Sequence, residues 1–308
     1  MHRNLRSFLE LLRRERELVE VGAEVDPYLE LAEVHRRVIA RGGPALLFRN
    51  VRGSRYPVVT NLFGTERRIE LAFGPKPEAL VRRAARVAES LLPPRPGALW
   101  QHRRLALEAL KLGTRRVRRA PVAEVSDRPA RLEELPVLTT WAEDGGPFFT
   151  LPLVYTEHPT TRRHNLGIYR MQRFDSKTTG MHWQIHKGGG FHYHGAERMN
   201  QPLPVTVFLG GPPALILSAI APLPEDVPEL VLASVLAGEK IRVADPPPGG
   251  HPHRLVAEAE FALVGKVPPR ERRPEGPRSR ALEETKTRRP LRRTRIVNVG
   301  SPGSTRKL

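Results

Sequence analysis

The chain has 308 residues, enough to bury a sizeable core, and this length allows two or three domains. Its 51 Lys and Arg against 33 Asp and Glu give a formal net charge of +18, which would normally indicate a nucleic-acid partner. The lack of cysteine excludes a disulfide scaffold, a thiolate metal site and a cysteine nucleophile. The sequence contains no signal peptide and no apolar run of membrane-spanning length, so we expect a cytoplasmic protein without stable membrane insertion.

The first 115 residues predict an α/β domain followed by a connector. Leucines recur at helical spacing near the N-terminus, and Asp26-Pro27 is typical of a second helix start, with Gly42-Gly43 as its stop. The apolar runs "PALLFRNV" and "YPVVTNLFG" then predict buried strands, and residues 77–92 predict a further helix. Helices that alternate with apolar strands are typical of an α/β fold.

Residues 116–277 differ in texture, because short apolar runs are broken by Gly and Pro. This spacing predicts a β-barrel or sandwich domain, interrupted by a helix over residues 227–237. Residues 278–308 contain ten Lys or Arg and two Glu, without a sustained apolar period, which predicts a disordered basic tail. A nucleic-acid arm is the functional alternative for this tail, although it has no aromatic residue for base stacking.

The segment "GMHWQIHKGGGFHYHG" concentrates histidine and glycine. His182 and His186 are four residues apart, as in a helical zinc pair, but no HExxH glutamate lies between them. His192 and His194 alternate like strand residues, which favours a solvated loop. The glycines that follow Lys187 would let backbone amides approach an anion, although no P-loop or dinucleotide fingerprint is present. These residues alone leave a metal site, a phosphate cradle and an ordinary polar loop open.

Four segments in order resemble the UbiD family of prenylated-FMN-dependent decarboxylases. They are "NLGIYRMQ" from Asn165, "TTGMHWQIHKGGG" from Thr178, "PEDVPELVLASVLAGEKIRV" from Pro224 and "AEAEFALVGKVPPRERRPEGP" from Ala257. "NLFGTERRIELAFG" from Asn61 is also similar to that family, and the resemblance covers about residues 1–277. It implies an α/β N-terminal domain, a split β-barrel related to flavin reductases, and a C-terminal domain that forms oligomers.

The resemblance also implies a cofactor site. Asn165, His186 and Glu229 match the ligands of a manganese or magnesium ion that holds the cofactor phosphate, a mixed donor set that suits such an ion. A potassium ion beside it is typical of the family, and Ser218 and Ala219 lie near the matching segment. The positions that match prenylated-FMN-binding residues are Ile168, Tyr169, Arg170, His182, Trp183, Gln184, Lys187 and Gly188.

The implied reaction is reversible, non-oxidative decarboxylation of an aromatic or α,β-unsaturated acid, in quinone biosynthesis or aromatic acid metabolism. The cofactor supplies the electronic step, while the protein orients the substrate and transfers protons. Arg170 matches the family arginine that can bind the substrate carboxylate, and Glu275 matches the glutamate that this arginine keeps ionised. A flavin prenyltransferase would supply the cofactor, and a homo-oligomer is typical of the family.

The chain departs from the family pattern after Pro277. The expected second acid, the proton donor, falls on Arg280, which cannot give up a proton at ordinary pH, and the basic tail replaces the C-terminal domain. A shifted reading frame or a truncation would explain this change, and it predicts impaired decarboxylation. Two alternatives therefore stay open: a flavin- or metal-binding protein without catalysis, and a basic nucleic-acid-binding protein.

Overall fold

The computed structural model describes residues 2–75, 112–127, 131–183, 187–221, 223, 228–246, 250–273 and 291–300. Arg273 and residues 291–300 are described as backbone only. The helix expected over residues 77–92 and most of the connector lie outside these ranges. None of the described helices is long and apolar enough to cross a membrane.

The N-terminal part is an α/β unit built on a three-stranded sheet. Its elements are α1 (Leu5–Arg14), β1 (Leu18–Val25), α2 (Glu30–Ala40), β2 (Ala45–Val51), β3 (Val58–Thr60) and α3 (Glu66–Phe73). Strand β2 is central, parallel to β1 and antiparallel to β3. The apolar face of α1 supplies Phe8 and Leu12, both fully buried, to a core shared with the sheet and α3. The α/β organisation expected from the helix and strand patterns is therefore present.

Helix α2 begins later than the sequence predicted. Asp26 was expected to cap it, but the Asp26 carboxylate instead accepts a hydrogen bond from the Tyr28 amide at 2.8 Å. The Leu29 amide donates to the Thr139 carbonyl oxygen at 2.9 Å, and Leu29 itself has a φ of 63°. The chain thus makes a turn that is hydrogen-bonded to the backbone of Thr139, and the helix begins after this turn, at Glu30.

The second part of the molecule centres on a ten-stranded sheet. Its strands are β5 (Val125–Asp127), β6 (Phe148–Phe149), β7 (Leu153–Glu157), β8 (His164–Ile168), β9 (Met171–Arg173), β10 (Thr178–Met181), β11 (Leu203–Leu209), β14 (Phe261–Val267), β15 (Arg272–Arg273) and β16 (Leu291–Gly300). The main path runs β6-β9-β10-β16-β14-β11-β7-β8, while β5 and β15 pair with β16. Every pair in this sheet is antiparallel. The short, turn-separated strands that the sequence predicted are present.

Three helices and a smaller sheet flank the large sheet. They are α4 (Gly188–Arg198), α5 (Pro213–Ser218) and α6 (Glu229–Ala237), with β4 (Thr114–Arg116), β12 (Ile241–Ala244) and β13 (Leu255–Val256) in the order β13-β12-β4. Helix α6 and the small sheet share one apolar core with β7, β8 and β14, and α4 closes a second core with β9, β10 and β11. Strand β8 carries Asn165 and Ile168, Gly188 begins α4, and Glu229 begins α6, so these elements contribute predicted site residues.

Part of the basic tail forms strand β16, which corrects the prediction of disorder over residues 278–308. Strand β16 lies between β10 and β14, where Thr178 pairs with Arg295 and Val264 with Val297. Sheet pairing uses backbone groups, so an extended segment can fill the gap without the apolar period that the sequence lacks. Ile296, Val297 and Val299 also favour the extended backbone.

Candidate functional site

A cavity of about 580 Å³ lies between β8, the start of α4 and the start of α6. Five predicted site residues line it, namely Asn165, Tyr169, Lys187, Gly188 and Glu229. They come from segments up to sixty-four positions apart in the chain, so the fold assembles a site that was predicted from separate motifs. Ala219, expected near a potassium ion, also lines the cavity, whereas Ser218 is buried and donates to the Leu215 carbonyl oxygen at 2.8 Å.

The glycine triplet opens helix α4 at the wall of this cavity. Lys187 is the N-cap in extended conformation, and its side chain makes no capping hydrogen bond. The Gly189 amide donates to the Tyr169 hydroxyl at 3.0 Å, and the Gly190 amide donates to the Lys187 carbonyl oxygen at 2.9 Å. A helix start with a positive dipole end beside a lysine is suited to an anion such as a phosphate.

Close packing explains why glycine is required at the helix start. A Cβ atom on Gly188 would lie 2.4 Å from Asn165 Oδ1, and one on Gly189 would lie 2.5 Å from the Trp183 ring. Asn165 Nδ2 in turn donates to the Tyr169 hydroxyl at 3.3 Å. The amide of Asn165 is therefore held between the glycine backbone and a buried tyrosine, with its position fixed on both sides.

Glu229 is a half-buried carboxylate with no cationic side chain paired to it among the described residues. It begins α6, and backbone amides of Glu229 and Leu166 donate to it, yet burial raises its pKa to about 7. A divalent cation would stabilise the ionised carboxylate, and Asn165 supplies an amide oxygen donor at the same cavity. The donor types therefore fit the predicted cation. The third predicted ligand, His186, lies outside the described residues, which contain no group of three or more acidic or histidine side chains arranged for a metal.

The histidines of the α4 segment do not lie in a solvated loop, so that expectation was wrong. His192 is on the second turn of the helix, buried, with Nδ1 2.9 Å from the Thr156 hydroxyl, while His194 is exposed on the same helix. The alternation of His192 and His194 suggested a strand, but the glycines before them start a helix whose buried face includes His192. Burial, with nearby His158 and His164, lowers the pKa of His192 to about 4, so this imidazole is neutral at pH 7.

An aromatic group backs the cavity. The Tyr169 ring meets the Trp183 ring edge-on at a centroid distance of 5.1 Å, and Trp183 stacks on Tyr193 at 6.2 Å. Trp183 Nε1 is buried without a hydrogen-bond partner in the described part of the structure. Trp183 and Ile168 pack against opposite cores and do not line the cavity. The His182 amide donates to the Arg170 carbonyl oxygen at 3.4 Å, which holds the second motif beside the first.

Arg170 lies away from this cavity and makes a contact that the sequence analysis did not include. Its guanidinium carbon is 3.6 Å from the centroid of the Phe148 ring, and its Nη2 is 2.5 Å from Asp144 Oδ2. Burial acts to raise the pKa of Asp144, but the ion pair with Arg170 and hydrogen bonds from Thr140 outweigh it and lower that pKa. Glu275, the predicted partner of Arg170, and Gln184 lie outside the described residues.

Several cavity residues were missed from the sequence. His158, His164 and Arg163 line the cavity from the β7-β8 hairpin, and Phe191 and Ile220 form an exposed apolar rim. The hairpin residues flank Asn165, so their proximity could have been inferred from strand pairing. The rim residues belong to helices α4 and α5 or just follow them, and only the tertiary packing of those helices brings them to the cavity.

Domain comparisons agree with this arrangement of parts. Residues 9–88 match the 3-octaprenyl-4-hydroxybenzoate carboxy-lyase N-terminal domain, and residues 115–299 match the Rift-related domain of the same enzymes. The second match continues past Pro277, where we expected the resemblance to end. Pairing of β16 inside the large sheet is consistent with this longer match.

Among curated relatives, an uncharacterized protein of Chlamydia caviae is 51% identical over 274 residues, which are 89% of this chain and 46% of that protein. A Chlamydia pneumoniae protein, named as one of the subunits of a 4-hydroxybenzoate decarboxylase, is 50% identical over 273 residues, again 89% of this chain and 46% of the relative. The chain thus spans about half the length of the curated relatives it matches.

Solved structures show the same likeness. The UbiD-class enzyme HmfF from Pelotomaculum thermopropionicum, in an evolved dimeric form with prFMN, superposes with a TM-score of 0.80 at 26% identity, over 97% of this chain and 65% of that one. The vanillic acid decarboxylase of Sedimentibacter hydroxybenzoicus in closed form shares the fold, with a TM-score of 0.81 at 24% identity, over 98% of this chain and 62% of that one. The domain matches cover more than half of the chain, and the chain belongs to the UbiD family.

Proposed function

We propose that the chain binds prenylated FMN in the 580 Å³ cavity and takes part in reversible, non-oxidative decarboxylation of an aromatic or α,β-unsaturated acid. The observation that carries the proposal is that the cavity brings together Asn165, Lys187, Gly188 and Glu229 from separate motifs. Family membership and the structural likeness to a prFMN complex support the choice of cofactor. Folding of the large sheet as a split β-barrel, like that of flavin reductases, belongs to the same proposal.

The roles of the site residues follow from their chemistry. The positive dipole end of α4, the Gly188 amide and the Lys187 ammonium would hold the phosphate, and Asn165, Glu229 and His186 would hold a manganese or magnesium ion beside it. A potassium ion near Ala219 is the further cation of the proposal. When bound, prenylated FMN supplies the electron sink for loss of carbon dioxide.

Substrate handling is proposed for Arg170, whose guanidinium can bind the carboxylate of an aromatic acid. Glu275 would act with Arg170 in proton transfer. Arg280 occupies the position of the expected second acid, and a guanidinium cannot donate a proton at ordinary pH. This observation favours a second candidate function, binding of flavin and metal without efficient turnover. We propose quinone biosynthesis or aromatic acid metabolism as the setting of the reaction.

Metal and flavin content of the purified protein tests the cofactor site. After co-expression with a flavin prenyltransferase, we expect near-stoichiometric flavin absorbance and manganese in the wild-type chain. Glu229→Gln should retain the fold, but its manganese content should fall at least about tenfold, because the substitution removes the half-buried negative charge at the cavity. Glu239→Gln, which changes an exposed carboxylate just beyond α6, is the matched control and should bind like wild type. Equal metal content in Glu229→Gln and wild type would contradict the site.

A further inference from the structure

The contacts of Arg170 are unusual for a residue that must meet a substrate. Its side chain is 36% exposed, while the Asp144 side chain that pairs with it is 8% exposed. The guanidinium lies over the Phe148 ring, and its buried Nη2 forms an ion pair with Asp144 Oδ2 at 2.5 Å, without hydrogen-bond geometry. One edge of the guanidinium is thus fixed from inside the protein, and the exposed part of the side chain remains near solvent.

Asp144 is itself held in place by the turn that contains it. Its Oδ2 accepts hydrogen bonds from the Thr140 amide, the Thr140 hydroxyl and the Trp141 amide, each at 3.1 Å. The Asp144 amide also donates to the Trp141 carbonyl oxygen at 3.1 Å. The carboxylate therefore has little freedom to follow Arg170, and its orientation determines the orientation of the guanidinium.

We propose that Asp144 is a positioning residue, which orients the Arg170 guanidinium so that its outer N–H groups bind the carboxylate of the substrate acid. The inference rests on the proposed function, in which Arg170 binds that carboxylate. A guanidinium group binds a carboxylate through two parallel hydrogen bonds only when the plane of the guanidinium is fixed. Without Asp144, the partly exposed guanidinium gains rotamers, and the bidentate geometry is lost.

The first test measures carboxylate recognition without turnover. The chain is loaded with FMN, and binding of benzoate and of benzamide is followed by the change in flavin absorbance. Wild type should bind benzoate more tightly than benzamide. Asp144→Asn should lower the affinity for benzoate about tenfold and leave the affinity for benzamide unchanged. The matched control is Asp175→Asn, because Asp175 also accepts hydrogen bonds from its own turn, from the Lys177 and Thr178 amides at 2.8 and 2.7 Å. Asp175→Asn should bind both probes like wild type.

A double-mutant comparison separates positioning from a general structural effect. In an Arg170→Gln background, Asp144→Asn should cause no further loss of benzoate affinity, since its effect acts through the guanidinium. An equal or tighter benzoate affinity in Asp144→Asn, or an additive loss in the double variant, would overturn the proposal. Failure of the wild type to bind FMN would instead contradict the proposed cofactor site.

The second test needs neither ligand nor flavin. In protein labelled with ¹⁵N-arginine, the Arg170 guanidinium signals are assigned from the spectrum of Arg170→Gln. We expect slow solvent exchange of these N–H protons in wild type and in Asp175→Asn, and loss of the signals in Asp144→Asn. Unchanged Arg170 signals in Asp144→Asn would show that Asp144 does not hold the guanidinium, and the proposal would be wrong whatever the outcome of the binding test.

Discussion

At the scale of single residues, the site depends on the contact between Asn165 and the first glycine of α4. Gly188 carries no side chain, and this lets Asn165 Oδ1 lie against the helix start. The asparagine and the start of α4 then face one cavity, where Glu229 adds a half-buried carboxylate. A change of a single methyl group at this contact should therefore disturb the anion and cation sites together.

Gly188→Ala tests this contact. The added Cβ would lie 2.4 Å from Asn165 Oδ1, so the asparagine or the helix start has to move. We expect FMN and Mn²⁺ affinities both to fall at least about tenfold, measured by flavin fluorescence and metal titration. Gly22→Ala is the control, because a Cβ there meets no atom within 4 Å and should leave both affinities unchanged. Wild-type affinity for either ligand in Gly188→Ala would contradict the argument.

The sequence indicated residues that the structure brings to one cavity, but it did not indicate contacts that depend on packing. Asn165 and Glu229 were predicted as metal ligands from a family resemblance, and the structure brings them to one cavity, although their ligation stays a prediction. Asp144 was missed because nothing in "WAEDGG" distinguishes it from an ordinary turn aspartate. Only the return of β8 and β9 beside that turn brings Arg170 against it.

At the scale of elements, the start of α4 shows why the local pattern was misleading. Gly188–Gly190 and the alternating histidines predicted a loop and strand, since glycine is a poor helix former. In the structure, α4 packs on β7, β8 and β11, and this tertiary contact stabilises a helix whose first turn has low propensity. The start of α2 differed for a similar reason, because the backbone of Thr139 fastens the preceding turn.

Two histidines that contact the buried Thr206 hydroxyl of strand β11 should make the stability of the fold depend on pH. Thr206 lies 2.8 Å from His251 Nε2 and 3.2 Å from His253 Nδ1 through its hydroxyl. Burial lowers the pKa of His251 to about 4, and burial with nearby His251, Arg162 and His192 lowers that of His253 to about 3. Both imidazoles are therefore largely neutral in the folded protein at pH 5 and above.

Stability should fall as the pH decreases below about 6.5. The unfolded chain takes up protons on these histidines near pH 6.5, whereas the folded protein does so only near pH 3 to 4. Between pH 7.5 and pH 5, His253 alone should lower the free energy of unfolding by about 2 kcal/mol, measured by urea denaturation. His253→Gln should reduce this pH dependence, while His194→Gln, at an exposed position, should not. An equal pH dependence in His253→Gln and wild type would show that His253 is not the source.

At the scale of the whole molecule, salt bridges account for some of the many arginines. Several arginines of the N-terminal part pair with carboxylates, as Arg13 and Arg49 do with Glu20 and Arg67 does with Glu15. A large share of the excess positive charge lies in residues 278–308, which hold ten Lys or Arg and two Glu. The net charge alone suggested a nucleic-acid partner, but the domain matches place the chain in the UbiD family. Net charge reports on solubility and association and not on fold.

The division into an α/β part and an antiparallel β part followed from hydrophobic periodicity, which is a property of the whole sequence and is insensitive to single turns. The strand order did not follow from it. Strand β16 is inserted between β10 and β14 from more than a hundred residues away from β10, and such long-range pairing leaves no periodic signal. The chain has no disulfide, so the stability of its fold depends on packed apolar cores. The cavity lies at the boundary between two of these cores.

We propose that one cavity holds a flavin phosphate and a divalent cation side by side, and the ³¹P NMR signal of FMN bound to the chain tests this arrangement. We expect paramagnetic Mn²⁺ to broaden the phosphorus signal beyond detection and Mg²⁺ to leave it sharp. In Glu229→Gln the signal should stay sharp with either ion, because the cation site is weakened. A sharp phosphorus signal from wild-type protein that holds stoichiometric Mn²⁺ and FMN would show that the two ligands lie apart, and the proposed site would be wrong.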